Sequence, residues 1–222
     1  MSCRWPRAWA RACPSAPSGL FAAPTGGLCR VVHMDGSIID LHYADAAGTR
    51  IARIVEDVNG NLTTGTDDQA VTDLGWDSNG RITSVRSPFT NRLIVAGKFP
   101  VAQAGHTTDI AYDASNRVTS VTGELPNATQ PRPRMNFAYD VGGPRINTVT
   151  DANRTEPNGY TTRYRLDESG RAFQVEDRLG RSSFTKWRDL YTHQVLWTES
   201  ESRDGANQPV FLRNSTVYDG RD

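Results

Sequence analysis

Short runs of Val, Ile and Thr alternate with small polar turn residues along most of the chain. One such stretch, Ile110–Gly123, has an aromatic and an acid before its turn and β-branched residues after it. The apolar residues after the turn are three positions apart, a spacing that also fits one face of a helix. Each run is short, however, rich in β-branched residues and bracketed by Gly, Asn or Asp, which favours strands. The pattern therefore predicts one β-hairpin for each copy.

The same order of residue types returns at a nearly constant interval. Most neighbouring copies are 25 to 27 residues apart from acid to acid, which indicates a repeat architecture. A degenerate copy is expected at Tyr191–Thr192. Because a lone hairpin buries too little surface to be stable, we expect the hairpins to pair side by side.

Each residue of the repeated motif has a structural role that its chemistry predicts. The aromatic ring is expected to cover the neighbouring hairpin, and the aspartate to accept hydrogen bonds from turn amides. The arginine is expected to pair with an acid on the next turn. The motif residues are Trp76, Asp77, Arg81, Tyr112, Asp113, Arg117, Tyr139, Asp140, Arg145, Tyr164, Asp167, Arg171, Tyr218 and Asp219.

The first hairpin is predicted from its turn. Val31–Val32 and Ile38–Ile39 flank an Asp35-Gly36 pair. Asp-Gly favours a two-residue hairpin turn because both positions tolerate positive φ. The β region is therefore expected to run from residue 31 to residue 222.

Two segments depart from the pattern. Residues 1–30 contain four arginines and no acid, and their apolar run Gly19–Ala23 is too short for a signal peptide, so we expect a disordered leader rich in Arg, Ala and Pro. All three cysteines lie in this leader, so the β region is expected not to depend on disulfides. Residues 87–108 contain Pro88 and Pro100 and are expected to form an irregular insertion.

The composition narrows the classes of partner. The formal net charge is zero, so no overall field draws the chain to nucleic acid or acidic lipid. The hydrophobic fraction of 37% and the mean hydropathy of −0.55 suit a sheet with one buried face. Because of the zero net charge we expect no nucleic-acid partner. Because no apolar run is long enough to span a bilayer, we expect no membrane span.

Two groups of acidic residues resemble catalytic or calcium sites. Glu176-Asp177 and similar pairs could serve acid/base chemistry, but neighbouring residues of a strand point to opposite faces and make no cleft. Asp57, Asn59, Asn61 and Asp68 are spaced as in a calcium loop, yet Leu62 stands where such a loop needs glycine. Both groups are better explained as turn residues.

Two further groups also fall short of a functional site. His33, Asp35, Asp40 and His42 lie close together across the predicted first hairpin, but the third strong ligand of a metal site is missing. Gly97-Lys98 lacks the preceding glycine of a phosphate-binding loop. The sequence therefore predicts no catalytic residues, no metal and no cofactor, and a protein that is not an enzyme.

When they are aligned at their aspartates, the repeated copies resemble the RHS or YD repeat of bacterial polymorphic toxins, insecticidal toxin complexes and animal teneurins. The resemblance covers the chain from about His33 onward. It implies tandem hairpins in a curved sheet strip that forms part of a β-spiral shell around another polypeptide. The matching positions are Tyr112-Asp113, Asn116-Arg117-Val118 and Val121; Tyr139-Asp140, Arg145-Ile146 and Val149-Thr150-Asp151; and Asp167, Gly170-Arg171 and Val175-Glu176-Asp177.

Two parts of that family are missing from this sequence. The core segment with its Asp-Pro-x-Gly-Leu element does not occur, and nothing resembling a toxin domain follows the repeats. Autoproteolysis and toxin activity are therefore not expected. The chain ends on an incomplete copy at Tyr218-Asp219, so we expect a fragment of a longer protein.

Two functions are compatible with these patterns. The first is a non-enzymatic shell segment that encloses or presents a toxin or another polypeptide, with further RHS repeats or a toxin domain as partners. The alternative is a cell-surface adhesion module that binds carbohydrate or protein through exposed aromatics such as Trp76 or Trp187. Both functions imply a secreted or cell-surface location.

Overall fold

The computed structural model describes residues 13–57, 69–98, 105–125, 130–153, 160–189, 194–206 and 208–218. These ranges contain fourteen strands and one helix. The helix is α1 (Pro88–Val95), and the strands are β1 (Arg30–Val32), β2 (Ile38–Tyr43), β3 (Ile51–Asp57), β4 (Gln69–Trp76), β5 (Ile82–Arg86), β6 (Thr108–Tyr112), β7 (Val118–Thr122), β8 (Arg134–Ala138), β9 (Ile146–Asp151), β10 (Tyr160–Leu166), β11 (Ala172–Glu176), β12 (Ser182–Trp187), β13 (Val195–Arg203) and β14 (Pro209–Ser215).

The strands follow one another across the sheet in chain order, from β1 to β14. Consecutive strands therefore form hairpins, and the prediction of an all-β fold of tandem hairpins is confirmed. Strands β5, β7, β9 and β11 each begin one residue after a motif arginine. The apolar residues three positions apart thus lie on strands, because their β-branched neighbours favour extended backbone over helix.

The first of two compact units comprises residues 1–110 and 123–125. Its hydrophobic core is small and lies on β2 and β3, where Ile38, Leu41, Tyr43 and Ala52 are buried. Strand β2 is buried at five of its six residues. This unit thus concentrates its burial near its N-terminal strands.

The N-terminal segment before β1 differs from the expected disordered leader over residues 13–30. A disulfide joins Cys13 to Cys29. The amides and carbonyls of Phe21 and Tyr43 exchange two hydrogen bonds of 2.9 and 2.8 Å, and the Leu41 amide donates to the Cys29 carbonyl at 3.0 Å. The segment is ordered because its backbone finds partners on β2, which is a tertiary contact. Residues 1–12, with Cys3, lie outside the described residues.

Helix α1 occupies part of the segment that was expected to be irregular. Ser87 caps the helix, since its Oγ accepts a hydrogen bond from the Thr90 amide at 3.2 Å, and Pro88 is placed in the first turn. Gly97 ends the helix with a φ of 68°. Pro88 is compatible with the helix because its missing N–H costs nothing in the first turn. Residues 99–104 lie outside the described residues.

The turn between β1 and β2 is longer than the sequence predicts. The His33 amide donates to the Ser37 carbonyl at 2.9 Å, which leaves three residues in the loop. Within this turn only Gly36 has positive φ, at 92°. The two-residue turn with positive φ at both positions is therefore wrong, because one left-handed glycine is enough to close a three-residue loop.

The second unit comprises residues 111–122 and 126–222. Within its described residues no hydrophobic side chain is fully buried, and the buried residues are Ser120 and Thr148. Strand β14 pairs with β13 over seven residues, from Trp197–Ser215 to Arg203–Pro209. Every residue of β14 is nevertheless exposed. Hydrogen bonds, rather than a deep core, hold this end of the sheet.

Candidate functional site

An aspartate at the start of each turn organises the backbone that follows it. Asp113 Oδ1 accepts hydrogen bonds from the amides of Ser115 at 2.8 Å and Arg117 at 2.9 Å. Its Oδ2 accepts a hydrogen bond from Arg117 Nε at 2.8 Å. One carboxylate therefore holds the turn amides and the arginine side chain together, an arrangement that we call the turn clamp.

The turn clamp recurs with nearly the same distances. Asp77 Oδ1 accepts the amides of Asn79 and Arg81 at 2.9 Å each, and its Oδ2 accepts Arg81 Nε at 2.7 Å. Asp167 binds the Ser169 and Arg171 amides and Arg171 Nε, all at 2.9 Å. The sequence predicted the hydrogen bonds from the turn amides but not the ion pair inside the turn.

The clamp stabilises the ionised aspartate. The hydrogen bond from the Arg81 amide is the main cause that lowers the pKa of Asp77, and the Arg117 amide has the same effect on the pKa of Asp113. Burial raises the pKa of Asp167, but hydrogen bonds from the side chain and amide of Arg171 outweigh it and lower the pKa. These carboxylates are therefore charged at neutral pH and act as hydrogen-bond acceptors.

The aromatic before a turn binds a strand of the preceding hairpin through its polar edge. Trp76 Nε1 donates to the Ile51 carbonyl at 2.8 Å. Tyr139 Oη donates to the Val118 carbonyl at 2.8 Å, and Tyr218 Oη donates to the Val195 carbonyl at 3.1 Å. Each acceptor is the first residue of its strand. We call this contact the aromatic latch.

The strands have backbone irregularities directly before two aromatic residues, Trp76 and Trp187. The strand register shifts between Gly75 and Trp76, and again between Lys186 and Trp187. A bulge of this kind re-aims the side chain that follows it. The bulge thus turns the aromatic toward the preceding hairpin. In a regular strand the side chain would follow the alternation between the two faces of the sheet.

Motif arginines extend the contact to the next hairpin. The Arg117 guanidinium lies 4.5 Å from the centre of the Tyr139 ring, and its Nη1 donates to Asp140 Oδ2 at 3.1 Å. The Arg171 guanidinium likewise lies 5.0 Å from the centre of the Trp187 ring. A cation over an aromatic face is attracted by the ring quadrupole. Arg117 thus makes the predicted contact with an acid on the next turn.

Three of the predicted motif residues, Asp140, Arg145 and Tyr164, depart from this geometry. Asp140 binds the Arg145 amide at 2.8 Å across a turn one residue longer, in which both residues have positive φ. Tyr164 lies in the middle of β10 opposite Val175, not beside a turn. Leu166 occupies the position next to Asp167 and has no polar edge to donate. Tyr112 ends β6 and is half-buried, while Asp219 and the expected copy at Tyr191–Thr192 lie outside the described residues.

Further clamps and latches were missed in the sequence. Tyr43 Oη donates to the Leu28 carbonyl at 2.5 Å, and Trp187 Nε1 donates to the Ala172 carbonyl at 3.2 Å. The Asp177-x-x-Gly-Arg181 spacing matches the motif without an aromatic before it, and the Asp45 turn is longer by one residue. The additional clamps are formed by Asp45 with Arg50 and by Asp177 with Arg181, while Asp204 accepts, within the described residues, only the turn amides of Ala206 and Gln208.

Three acidic residues among the weaker candidates from the sequence, Asp35, Asp40 and Glu176, have structural partners. Both oxygens of Asp40 bind Arg30, at 2.5 and 2.8 Å, and Asp35 accepts the Ser37 amide at 2.9 Å. Among the described residues no group of three or more His, Cys, Asp or Glu side chains could hold a metal ion. Glu176 pairs with Arg163 at 3.3 Å, away from its neighbour Asp177. The calcium-like loop lies outside the described residues after Asp57.

A groove in the second unit has an aromatic lining. It encloses about 410 Å³ beside β11, β12 and β13. Phe173 is 40% exposed there, and the charged side chains of Lys186 and Arg188 are at its border. The aromatic residues that line it are Phe173, Phe184, Trp187 and Trp197. We call this surface the aromatic groove.

In the described part of the chain, no helix has both the length and the apolar character needed to cross a membrane. No protein-family model and no curated protein matches the sequence. The crystal structure of TcdB2-TccC3-TEV is similar at a TM-score of 0.38 and 13% sequence identity, over 90% of this chain and 12% of that chain. The chain thus spans about an eighth of that protein's length, and a TM-score this low supports neither the fold nor the function.

Proposed function

We propose that this chain is a non-enzymatic segment of an RHS/YD-type shell, in which a strip of hairpins encloses or presents another polypeptide. Its partners are further repeats or a toxin domain of a longer protein. The motif resemblance supports this assignment. The observation that carries it is the use of the motif residues: the turn clamps hold each turn, and the aromatic latches bind one hairpin to the next.

The chemistry of the motif fits a mechanical role. Asp77 and Asp113 each have their oxygens occupied by turn amides and an arginine. The donors of Trp76 and Tyr139 are occupied by backbone carbonyls of the neighbouring hairpin. A proton-transfer catalyst needs access to substrate, whereas these groups are engaged in fixed contacts. The motif therefore favours a structural role in the shell over a catalytic role.

The disulfide between Cys13 and Cys29 supports a secreted or cell-surface location. Disulfides persist in oxidising compartments and are rare in the reducing cytosol. Mass spectrometry of the chain recovered from its native compartment, with and without alkylation, tests this part of the proposal. Two free thiols at Cys13 and Cys29 would contradict it.

The shell function can be tested by protease protection. The chain is expressed with the flanking coding sequence of its locus, and proteolysis of the flanking polypeptide is followed over time. We expect protection by the hairpin strip, and loss of protection when the latches are removed by Trp76→Ala or Tyr139→Ala. Leu179→Ala, at an exposed turn residue, is the control. Equal proteolysis with and without the strip would contradict the shell.

The aromatic groove favours a second candidate function, the binding of carbohydrate at a cell surface. Sugar rings present C–H faces that pack on aromatic rings, and hydroxyls that bind charged side chains at the border. A groove of about 410 Å³ is within the size range of small-molecule sites. Exposed Phe173 is the residue that a bound sugar would cover.

A glycan array with matched variants tests this second function. Phe173→Ala removes an aromatic of the groove, whereas Phe211→Ala removes one outside it that is similarly exposed. We expect glycan binding to be lost only in Phe173→Ala. Binding that is absent in the unmodified chain, or unchanged in both variants, would exclude the groove as a carbohydrate site.

A further inference from the structure

One rung of the sheet in the first unit is polar across four neighbouring strands. His42 lies opposite Arg53, Arg53 opposite Asp73, and Asp73 opposite Arg86. Residues that face each other in antiparallel strands direct their side chains to the same side of the sheet. Burial lowers the pKa of His42, so its ring is neutral at pH 7. The charges of the rung are therefore two guanidinium groups and one carboxylate.

A cavity of about 350 Å³ lies beside this rung. Arg53, Asp73 and Arg86 line it together with Ser84, and Ser18 borders it from the N-terminal segment. Gly75 leaves part of the space open, because a Cβ on this residue would contact the Ser84 hydroxyl. The missing side chain of Gly75 thus lets the Ser84 hydroxyl lie close to the strand at the cavity.

The carboxylate in the cavity lining is already engaged. Asp73 Oδ1 accepts a hydrogen bond from Arg53 Nε at 2.6 Å, and Oδ2 accepts one from Asn91 Nδ2 at 3.1 Å. Arg86 Nη1 lies 3.9 Å from Asp73 Oδ2, beyond hydrogen-bond distance. Of the two arginines, Arg53 has a close ion pair in this rung and Arg86 has a loose one.

Arg86 has a buried donor without an acceptor. Its Nε is shielded from solvent and makes no hydrogen bond within the described residues. Two other carboxylates of this face bind elsewhere, since Asp40 pairs with Arg30, and Asp109 accepts the Thr107 hydroxyl at 2.7 Å. A buried, unsatisfied donor is costly, and that of a charged group more so. The cavity is therefore lined by one excess positive charge, on a guanidinium whose Nε lacks an acceptor within the described residues.

We propose that this cavity binds the carboxylate group of a small acidic ligand, held by Arg86 with the Ser84 hydroxyl as a second donor. The planar guanidinium can bind a carboxylate through two parallel hydrogen bonds from its terminal nitrogens, while Nε stays shielded. A single excess positive charge suits a monoanion. Arg53 is bound to Asp73 and contributes charge rather than a free donor.

The test follows the Nε–Hε resonance of Arg86 by NMR during titration of the full chain at constant ionic strength. Acetate is the simplest probe, glucuronate represents sugar acids and N-acetylalanine represents peptide C-termini. Glucose is the neutral control. We expect a saturable shift with carboxylates and none with glucose, and the tighter of the two larger probes identifies the source of the ligand.

Three variants make the assignment specific. Arg86→Gln removes the fork and is expected to weaken acetate binding by at least about tenfold, the size expected for a hydrogen bond to a charged group. Arg163→Gln removes an arginine that is paired with Glu176 outside the cavity and is expected to leave binding unchanged. If Arg86→Gln does not fold, Gly75→Ala provides the test, since its methyl group displaces the Ser84 hydroxyl, the second donor, and should also weaken binding.

Several results would overturn the proposal. They are the absence of a saturable shift at Arg86 with any carboxylate, equal binding by glucose and glucuronate, or undiminished binding in both cavity variants. Phosphate that binds more tightly than acetate would overturn the assignment to carboxylates, because it would show a site built for a tetrahedral anion.

Discussion

Strands β2 and β14 have the same hairpin pairing but opposite environments. Strand β2 is buried at five of six positions, and the segment closed by the Cys13–Cys29 disulfide binds its backbone. Strand β14 pairs fully with β13, yet all seven of its residues are exposed. Pairing alone thus gives a strand its hydrogen bonds, while burial depends on what covers its face. The energetic consequences of this difference can be measured.

The largest contrast is expected from truncating one apolar side chain in each strand. Ile38 on β2 is fully buried, whereas Leu212 on β14 is 63% exposed. Ile38→Ala should lower the free energy of unfolding by about 2–5 kcal/mol, the cost of a cavity in a packed core. Leu212→Ala should change it by less than about 0.5 kcal/mol, as surface substitutions do. Urea denaturation followed by circular dichroism measures both, and equal costs would contradict the comparison.

The second effect is expected from opening the N-terminal disulfide. Cys13 and Cys29 are 16 residues apart in sequence. Replacing both by serine should lower the free energy of unfolding by about 3 kcal/mol, because the unfolded chain regains the entropy of an open loop. Hydrogen exchange should accelerate at the amides of Leu41 and Tyr43, whose acceptors lie in this segment.

The amides of β14 serve as the internal control for that experiment. They lie in the second unit and should keep their exchange rates after the double substitution. Acceleration of the same size along β14 would show that the disulfide stabilises the whole sheet rather than the cover of β2.

A smaller effect is expected from removing one aromatic latch at each end. Tyr43 is buried and donates to the Leu28 carbonyl at 2.5 Å, while Tyr218 donates to the Val195 carbonyl at 3.1 Å. Tyr43→Phe should lower the free energy of unfolding by about 1–2 kcal/mol, since it leaves a carbonyl without its donor. Tyr218→Phe should cost less, because Tyr218 is only half-buried and water can replace its hydroxyl. Equal costs, or a larger cost for Tyr218→Phe, would contradict the control of the latch strength by burial.

The smallest effect concerns pH. The Thr49 amide and the Arg50 side chain lower the pKa of Asp45 to about 2, from the value of about 3.9 for a free aspartate. The unfolded chain therefore binds a proton before the folded chain does, and stability due to this clamp is present above about pH 4 and is lost as pH falls toward 2. Asp45→Asn should remove this part of the pH dependence, as measured by thermal unfolding between about pH 5 and 2.

Glu168→Gln is the matched control for the titration, since Glu168 is an exposed turn residue. Its pH profile should follow that of the unmodified chain. An identical profile for Asp45→Asn would show that the clamp does not contribute to acid sensitivity.

Much of the architecture could be predicted because it depends on local chemistry. The β-branched runs after Arg81 and Arg117 and the amide-binding aspartates before them act within a few residues of the chain. Some errors are local, such as the three-residue turn between β1 and β2, but others fall where distant residues decide. Helix α1 uses a proline in its first turn, and Glu124 accepts a hydrogen bond from the Ser87 amide at 3.0 Å from far along the chain. No local sequence pattern predicts that Glu124 contacts Ser87.

The candidate sites divide in the same way. The repeat interval identified Trp76 and Tyr139 as recurring aromatics, but not the carbonyls that they bind. Tyr164 was assigned by proximity in sequence, although it lies in the middle of a strand. The cavity at Arg86 was not predicted, because four strands must pair in one register before its residues meet.

The sequence by itself determined the hairpin, its turn and the period at which both recur, since these depend on backbone preferences and on hydrogen bonds between near neighbours. Tertiary structure alone decided which faces are covered, which carbonyl receives each aromatic and where an arginine is left without an acceptor. The physical reason is that burial and register bring together residues from distant parts of the chain. Strand β2 and strand β14 therefore share the hairpin pairing and differ in the burial of their residues.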